Sequence, residues 1–278
     1  MAVNIFPVLT DNERRLPLCV TTAGYWTNQE SIVRPDGFPS YQWLQAVSGK
    51  GVLRTDGREL IVGPGQGMLL MANEAHEYEP LEAPWGVHWI GFDGPRAAEM
   101  LRDLGYDRSD VLFISNPDAT LKTMMEITSL LGSYQPAAAL EASAALYRLL
   151  LDLHRYGSRT ELRSRKHHLD AIAPALEHME KHYARTIPLD ELARLVGFTP
   201  QHVCFLFQQA LGLRPIEFLT RVRIRKAKEL LLNEPDLEVQ TVAARVGYDH
   251  PSYFIKLFKQ QEGVTPVMFR RIHSSRNL

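Results

Sequence analysis

The sequence of 278 residues predicts a two-domain protein, in which a β-rich barrel with a helical hairpin precedes an all-helical domain. Three observations support this prediction. Short apolar runs separated by Gly and Pro fill the first 115 residues, helical periodicity replaces them after Pro117, and an internal repeat occupies the C-terminal part. Hydrophobic residues at 45% and charged residues at 23% are typical of a folded globular chain.

The first domain, residues 1–116, is predicted to be a barrel or sandwich of short strands. Its apolar runs recur about every ten residues, a spacing typical of small all-β folds. Turns are predicted at 49–51, 56–57 and 63–65, where glycine supplies the conformations that turns require. The predicted strands are 41–47, 51–54, 59–62, 67–71 and 87–92.

Residues 117–156 predict a helical hairpin, with helices over 118–133 and 137–156. The second helix carries a stripe of leucines at helical spacing, Leu146, Leu150 and Leu153. Such a stripe either packs on the barrel or pairs with a second copy of the chain. We expect the second arrangement, which makes 117–156 a dimerisation hairpin.

Residues 157–170 are polar and basic and are predicted to be a linker. The charge changes sign across this segment. Residues 1–156 contain 12 Lys and Arg against 19 Asp and Glu, a net −7, whereas 157–278 contain 19 against 13, a net +6. This asymmetry indicates that the second half contacts a polyanion, although chance variation in composition produces asymmetries of this size as well.

The sequence predicts a cytoplasmic protein without cofactor, metal or membrane contact. Cys19 and Cys204 are too few and too far apart for a metal cluster and are expected to be free thiols in a reducing compartment. No apolar run approaches the roughly 18–20 residues of a membrane span. The N-terminus has no basic region followed by an apolar one, so no secretion signal is expected.

The repeat lies in the last domain, residues 171–278. LARLVGF at 192–198 recurs as VAARVGY at 242–248, and each copy continues into a longer helical pattern and a Gly-x-x-Pro. Each copy is a predicted helix-turn-helix, a motif that places its second helix in the major groove of DNA. A predicted helix at 215–233 joins the two copies, which could therefore reach two successive major grooves about 34 Å apart. This helix carries five cations.

Single residues define the turns of the two copies. Gly197 and Gly247 stand where the first helix ends and a positive φ is needed. Thr199 is expected to cap the next helix, with Pro200 at its first position, and Asp249 is expected to be the corresponding cap in the second copy.

These motifs resemble a known family. Residues 189–270, and above all VAARVGYDHPSYFIKLFKQQEGVTPVMFR at 242–270, resemble the DNA-binding domain of the AraC/XylS transcription regulators. Residues 41–80 and VHWIGFDG at 87–94 resemble the cupin-like effector domain of its sugar-responsive members. The resemblance implies a homodimeric activator of carbohydrate-utilisation genes that binds double-stranded DNA, a small-molecule effector (a sugar) and RNA polymerase. The alternative is a cupin-fold metal-dependent enzyme, although only His76 fits a cupin metal motif.

The resemblance also implies which side chains contact DNA. In the first copy the expected base contacts are Gln201, Cys204 and Phe205, with His202 and Gln208 nearer the phosphates. In the second copy the expected contacts are Pro251, Ser252, Ile255, Lys256 and Lys259. Three alternatives stay open: Phe205 as a core residue, Lys256 on a guanine or on a phosphate, and Arg223 on a phosphate or in an internal salt bridge.

For the effector, the resemblance points to Thr27, Arg34, Tyr78 and Trp89, together with His76. All four tryptophans precede position 90, and aromatic faces stack on sugar rings, so a neutral, hydroxyl-rich ligand is expected. The N-terminal arm, 1–33, is expected to fold over the cavity. Each residue also has a structural alternative: Trp43 as core, His76 as a hydrogen-bonded residue at the barrel rim, and Arg34 paired with a carboxylate.

Overall fold

A computed structural model describes residues 2–133, 135, 137–159 and 165–273, except for the side chains of Arg165 and Lys166. The chain forms two compact units, 1–166 and 167–278. The first is β-rich and the second is helical, which confirms the predicted fold class.

The described part of the first unit contains nine strands and four helices. The strands are β1 (Ala2–Ile5), β2 (Cys19–Trp26), β3 (Ile32–Arg34), β4 (Tyr41–Thr55), β5 (Arg58–Val62), β6 (Gln66–Leu70), β7 (His76–Asp93), β8 (Asp110–Ile114) and β9 (Gly157–Ser158). The helices are α1 (Asp11–Arg14), α2 (Ala97–Asp103), α3 (Pro117–Gly132) and α4 (Ala138–Tyr156).

All strands belong to one antiparallel sheet with the order β1-β2-β7-β4-β6-β8-β9, in which β3 also pairs with β7 and β5 with β4. Both faces of the sheet are buried. Trp43 and Phe92 lie on the face that shares a core with α3 and α4. Leu53, Trp85 and Val87 lie in a second apolar cluster on the opposite face. Side chains alternate between the two faces along β4 and β7, so these strands contribute residues to both cores.

The turn predicted at 49–51 is wrong, because β4 runs without a break from Tyr41 to Thr55. Gly49 has a φ of 65°, and the register against β7 shifts between Ala46 and Gly51, so this segment is an irregular bend within a long strand. The turn at 56–57 is confirmed. Both of its residues have positive φ, as a two-residue hairpin turn requires.

The leucine stripe of α4 packs inside the first unit. Leu146, Leu150 and Leu153 are fully buried, in one cluster with residues of the sheet and of α3. The expectation that this stripe forms a dimer interface is therefore wrong. An amphipathic pattern reveals that a helix has an apolar face but does not identify the surface that covers it, and here the sheet covers it.

The second unit consists of α5 (Arg165–His182), α6 (Leu189–Val196), α7 (Pro200–Leu211), α8 (Pro215–Asn233), α9 (Val239–Arg245), α10 (Pro251–Glu262) and α11 (Pro266–His273). Helices α6–α7 and α9–α10 are the two helix-turn-helix copies. Helix α8 joins them, because Leu219 packs in the core of the first copy and Ile224, Ala227 and Leu231 pack in the core of the second.

The turns of the two copies follow the sequence closely. Gly197 and Gly247 have φ values of 72° and 85°, and the Thr199 hydroxyl accepts a hydrogen bond from the His202 N–H. The cap predicted at Asp249 is wrong, since His250 is the N-cap residue of α10. The second turn is one residue longer than the first, so the residue that precedes α10 is 51 positions after Thr199, not 50.

The predicted linker, 157–170, is only partly described. Residues 160–164 lie outside the described residues. Gly157–Ser158 pairs with β8, and α5 begins at Arg165, so the described parts of this segment are a short strand and the first turns of a helix. Polar composition suggested a linker, but polar side chains are equally compatible with an exposed helical turn.

Candidate DNA interface and effector cavity

The first recognition helix, α7, has a buried face and an exposed face. Val203, Leu206 and Phe207 fill the core of the first copy. The opposite face presents the predicted contacts, of which Gln201, Phe205 and Gln208 are exposed and His202 and Cys204 are half-buried. Phe205 is 46% exposed and its ring stacks on His202 with centroids 5.7 Å apart, so it lies outside the core.

The second recognition helix, α10, repeats this arrangement. Phe254 and Phe258 are fully buried. The predicted contacts Ser252, Ile255, Lys256 and Lys259 are exposed, and Pro251 is half-buried at the first helical position. Sequence reasoning missed Tyr253, which is 57% exposed. The signal was available, since Tyr253 precedes Lys256 by three residues and therefore lies on the same side of the helix.

Arg223 has a structural role. Its Nε donates to the Tyr183 carbonyl at 2.7 Å and its Nη2 to the Arg185 carbonyl at 3.0 Å. The guanidinium also lies 5.1 Å from the centroid of the Tyr248 ring. These contacts tie the end of α5 to α8, and the contact of Arg223 with DNA stays a prediction. Within the described residues Arg223 forms no internal salt bridge, because its acceptors are backbone carbonyls.

Most of the other cations of α8 are neutralised within the unit. Arg225 pairs with Glu180, Lys226 with Glu229 at 2.8 Å, and Lys228 with Glu262 at 2.9 Å. Arg221 is exposed and has no ion pair among the described residues, and the same holds for Lys256 and Lys259 on α10. Arg221 and Tyr253 line one groove of about 860 Å³ between α8 and α10. Among the described residues, four cations of these two helices are therefore without an ion pair: Arg221, Lys256 and Lys259, and Arg223 with its backbone acceptors.

A cavity of about 150 Å³ lies in the first unit, among β1, β2, β3, β4 and β7. Three of the five predicted ligand residues line it: Arg34, Tyr78 and Trp89. Thr27 and His76 do not line it, and Thr27 is exposed just beyond the end of β2. The full lining is Asn4, Phe6, Thr22, Trp26, Gln29, Ile32, Arg34, Phe38, Gln42, Leu44, Tyr78 and Trp89.

Two of the four tryptophans belong to this cavity. Trp43 and Trp85 are fully buried core residues, as the structural alternative for Trp43 anticipated. Trp26 and Trp89 line the cavity with rings 6.0 Å apart in an edge-to-face arrangement. The buried Nε1 of Trp26 has no hydrogen-bond partner in the described part of the chain. Sequence reasoning missed Trp26 as a site residue, although the four tryptophans before position 90 were the signal for a sugar site.

The absence of a side chain at Gly24 leaves space for the Trp89 indole, which lines the cavity. Gly24 lies opposite Asn4 of β1 and opposite Trp89 of β7, in one row across three strands. A Cβ at this position would lie 2.5 Å from Cζ2 of Trp89 and 2.0 Å from the Val3 carbonyl oxygen. Glycine therefore allows the indole and the N-terminal strand to approach β2 at the same point.

Arg34 is held at the cavity by uncharged groups. Its Nη1 donates to Oε1 of Gln42 at 2.6 Å, and the guanidinium lies 4.3 Å from the centroid of the Phe38 ring. Nε2 of His76 lies 3.4 Å from the same Nη1. The structural alternative of a carboxylate partner for Arg34 is not realised, since no ion pair of Arg34 occurs among the described residues.

His76 supports Arg34 from behind the cavity. Its Nδ1 lies 2.8 Å from the Glu74 carbonyl, so an Nδ1–H tautomer donates there and leaves Nε2 to accept from Arg34. Burial, together with the charge of Arg34, lowers the pKa of His76. His76 thus has the contacts of a hydrogen-bonded histidine that positions Arg34, and its direct contact with a ligand stays a prediction.

Comparison with known families decides the classification. The family described as AraC-like ligand binding domain matches residues 18–150, and the family described as helix-turn-helix domain matches residues 192–272. The chain belongs to the AraC/XylS family of transcription regulators. It thus combines an effector-binding unit with a DNA-binding unit, and the family is one of DNA-binding transcription regulators.

Individual relatives agree with this assignment. The chain is 27% identical to the arabinose operon regulatory protein of Escherichia coli, over 86% of this chain and 83% of that protein. It is 23% identical to the lactose operon transcription activator of Staphylococcus xylosus, over 82% and 83%. A shorter match, at 35% identity, joins it to the HTH-type transcriptional regulator YisR of Bacillus subtilis, over 36% of this chain and 34% of that protein.

The hairpin leaves a second apolar stripe uncovered. Leu140, Tyr147 and Leu151 of α4 are 50%, 53% and 42% exposed, and Ala144 is exposed between them. Their spacing of 4, 3 and 4 residues is that of a coiled-coil seam. Arg148 of α4 pairs with Glu126 of α3 beside this stripe.

Two features are absent from the described residues. None of the helices there has the length and apolar character needed to cross a membrane. No three His, Cys, Asp or Glu side chains come together as candidate metal ligands in the same part of the chain.

Proposed function

We propose that this chain is a cytoplasmic, homodimeric regulator that activates carbohydrate-utilisation genes when a sugar occupies the cavity beside Trp89. The observation that carries the proposal is a cavity lined by Trp26, Trp89 and the donor Arg34 in the effector-binding unit. Indole faces pack on the C–H faces of sugar rings, and a guanidinium donates to hydroxyls. The sugar-operon regulators among the relatives support the same class of effector. The proposal includes no catalytic step and names RNA polymerase as the partner of the activated protein.

The cavity volume supports a ligand of one ring. A cavity of about 150 Å³ takes up a single six-membered ring, benzene, in another protein. A monosaccharide is therefore the proposed effector, and an oligosaccharide is too large unless the cavity opens.

The N-terminal strand is the proposed link between effector and response. Asn4 and Phe6 line the cavity, whereas β2 is an inner strand of the sheet, so the movable arm is shorter than the predicted 1–33. An effector changes the balance between an arm that covers the cavity and an arm that is detached from it only if it binds the two states with different affinities.

The test measures the binding of sugars to the full chain by tryptophan fluorescence. Footprinting of the DNA upstream of its gene, with and without each sugar, measures the response. We expect one monosaccharide to change both the fluorescence and the footprint. Trp89→Ala should remove the fluorescence response while leaving DNA binding without sugar intact. A chain that binds its upstream DNA identically with every sugar in the panel would refute the effector proposal.

For DNA reading, we propose that α7 and α10 enter successive major grooves. Helix α8 has 19 residues and is therefore about 28 Å long, which is close to the roughly 34 Å between such grooves. Because α8 packs in the cores of both copies, it supports a fixed separation of the two reading helices.

For dimerisation, we propose the exposed stripe of α4 as the seam, in place of the buried leucines. Leu140, Ala144, Tyr147 and Leu151 repeat at coiled-coil spacing, and a two-fold axis would bring the stripe against its own copy. The outer stripe is the apolar surface of α4 that the fold of one chain leaves exposed.

Lys256→Ala should weaken specific binding by roughly 1–3 kcal/mol if Lys256 reads a base, and it should relax the preference at one base pair. Competition gel shifts with operators changed one base pair at a time measure both effects. Lys181→Ala is the matched control, because Lys181 is an exposed cation of α5 that pairs with Glu177. An equal loss on every sequence would assign Lys256 to a phosphate.

Arg221→Gln should reduce the salt dependence of DNA binding, whereas Arg225→Gln should not. Arg221 is free to neutralise a phosphate, while Arg225 is already paired with Glu180. Each phosphate contact contributes about 0.9 to the slope of log K against log salt, so the slope should fall by about 0.9 in Arg221→Gln only. Equal slopes in both variants and the wild type would remove Arg221 from the interface.

A further inference from the structure

Arg34 is an uncompensated cation in a cavity without acids. Of the twelve residues that line the cavity, it is the single cation, and none is Asp or Glu. Its Nε and Nη2 groups have no partner in the described part of the chain, since the hydrogen bond to Gln42 and the contact with His76 both use Nη1. The charge of this half-buried guanidinium is therefore not balanced by a neighbouring carboxylate, and its free edge is open to an anion.

The carboxylates on and beside the part of β7 that pairs with β3 have other partners. Glu77 and Glu79 of β7 both accept from Arg54, at 3.1 and 2.7 Å. The Glu74 carboxylate accepts from the backbone N–H and the hydroxyl of Ser109. Within the described residues, the protein therefore supplies no counter-ion for Arg34.

Two further donors at the cavity have no partner among the described residues. Nε1 of Trp26 is buried without a partner, and the Tyr78 hydroxyl has no hydrogen bond among the described residues. The amide oxygen of Gln42 is taken by Arg34. A cavity with three donors and a net positive charge is complementary to a ligand that accepts at one end, and the free Nε–Nη2 edge of a guanidinium matches the two oxygens of a carboxylate.

We propose that the effector is an acidic monosaccharide, a uronate or similar sugar acid, whose carboxylate binds the free edge of Arg34. This inference rests on the proposed function, which identifies the cavity as a sugar site, and it replaces the neutral ligand expected from the sequence. The indoles of Trp26 and Trp89 cover the sugar ring, and His76 and Gln42 hold the guanidinium in place.

The test is a series of sugars that differ at one ring carbon. L-arabinose carries hydrogen there, D-galactose a hydroxymethyl group and D-galacturonate a carboxylate, and D-glucose with D-glucuronate repeats the comparison in a second configuration. Calorimetry with the full chain should show that one of the two uronates binds roughly 10- to 100-fold more tightly than the neutral sugars of the same configuration. Arg34→Gln should abolish this preference, and Arg34→Lys should keep part of it because it retains the charge.

The outcomes separate the two proposals. A neutral sugar that binds as tightly as its acid, or more tightly, overturns the acidic effector and leaves the sugar regulator standing. If acetate and propionate bind while no sugar does, the cavity is an anion site and the sugar proposal fails. If nothing in the series binds, both fail. The comparison of acidic with neutral sugars in the wild-type chain tests the acidic effector even if an Arg34 variant does not fold. Thermal unfolding of each variant shows whether that variant is folded.

Discussion

Replacing both Leu146 and Leu150 with aspartate is expected to unfold the first unit and not to split a folded dimer. Both side chains are fully buried against the sheet and α3. Truncating one buried leucine costs about 2–5 kcal/mol, and two buried carboxylates without partners add to this loss. The total approaches or exceeds the roughly 5–15 kcal/mol that stabilises a typical domain. Near-ultraviolet circular dichroism of the full chain should therefore lose the tryptophan signal.

The control changes the opposite face of the same helix. Tyr147→Asp with Leu151→Asp introduces the same two charges at positions that are 53% and 42% exposed. This variant should keep its circular dichroism and sediment as a monomer if the outer stripe is the seam. A folded Leu146→Asp, Leu150→Asp variant would show that the packing of α4 on the sheet is wrong. A Tyr147→Asp, Leu151→Asp variant that remains a dimer would place the seam elsewhere.

Local signals made the helix-turn-helix copies predictable. Gly197, Thr199 and Pro200 specify a turn, a cap and a first helical residue within four positions, and the structure follows them. The cap at Asp249 failed because a one-residue insertion in the second turn moved the capping position to His250. A duplicated motif therefore predicts the order of elements more reliably than the residue at which each element begins.

Residue roles that depend on distant contacts were not predictable. The acceptors of Arg223 are carbonyls of Tyr183 and Arg185, about forty positions away, and nothing near Arg223 in the sequence indicates them. His76 has the residue type of a ligand contact but lies behind Arg34. The face of α4 that meets the sheet was ambiguous for the same reason, because burial depends on what packs there.

Gly24→Ala is expected to remove the effector site. The added methyl group would overlap Cζ2 of Trp89 and the Val3 carbonyl, so the indole must turn away or β1 must detach from β2. Overpacking of this kind costs about 1–3 kcal/mol, and more when the neighbour is backbone. We expect the fluorescence response to sugars to disappear, together with faster amide hydrogen exchange at Val3 and Ile5.

Gly63→Ala is the matched control, because a Cβ there would meet nothing closer than Cγ of Lys50 at 3.5 Å, an ordinary contact. That variant should bind sugars and protect β1 as the wild type does. The two readouts of Gly24→Ala also separate the wall of the cavity from its cover. Lost binding with β1 still protected from exchange would assign the effect to Trp89 alone, and lost protection with binding retained would show that the arm does not hold the ligand. An unchanged Gly24→Ala variant in both measurements would mean that β1, Gly24 and Trp89 do not meet in one row, and the proposed effector site would then lose its structural basis.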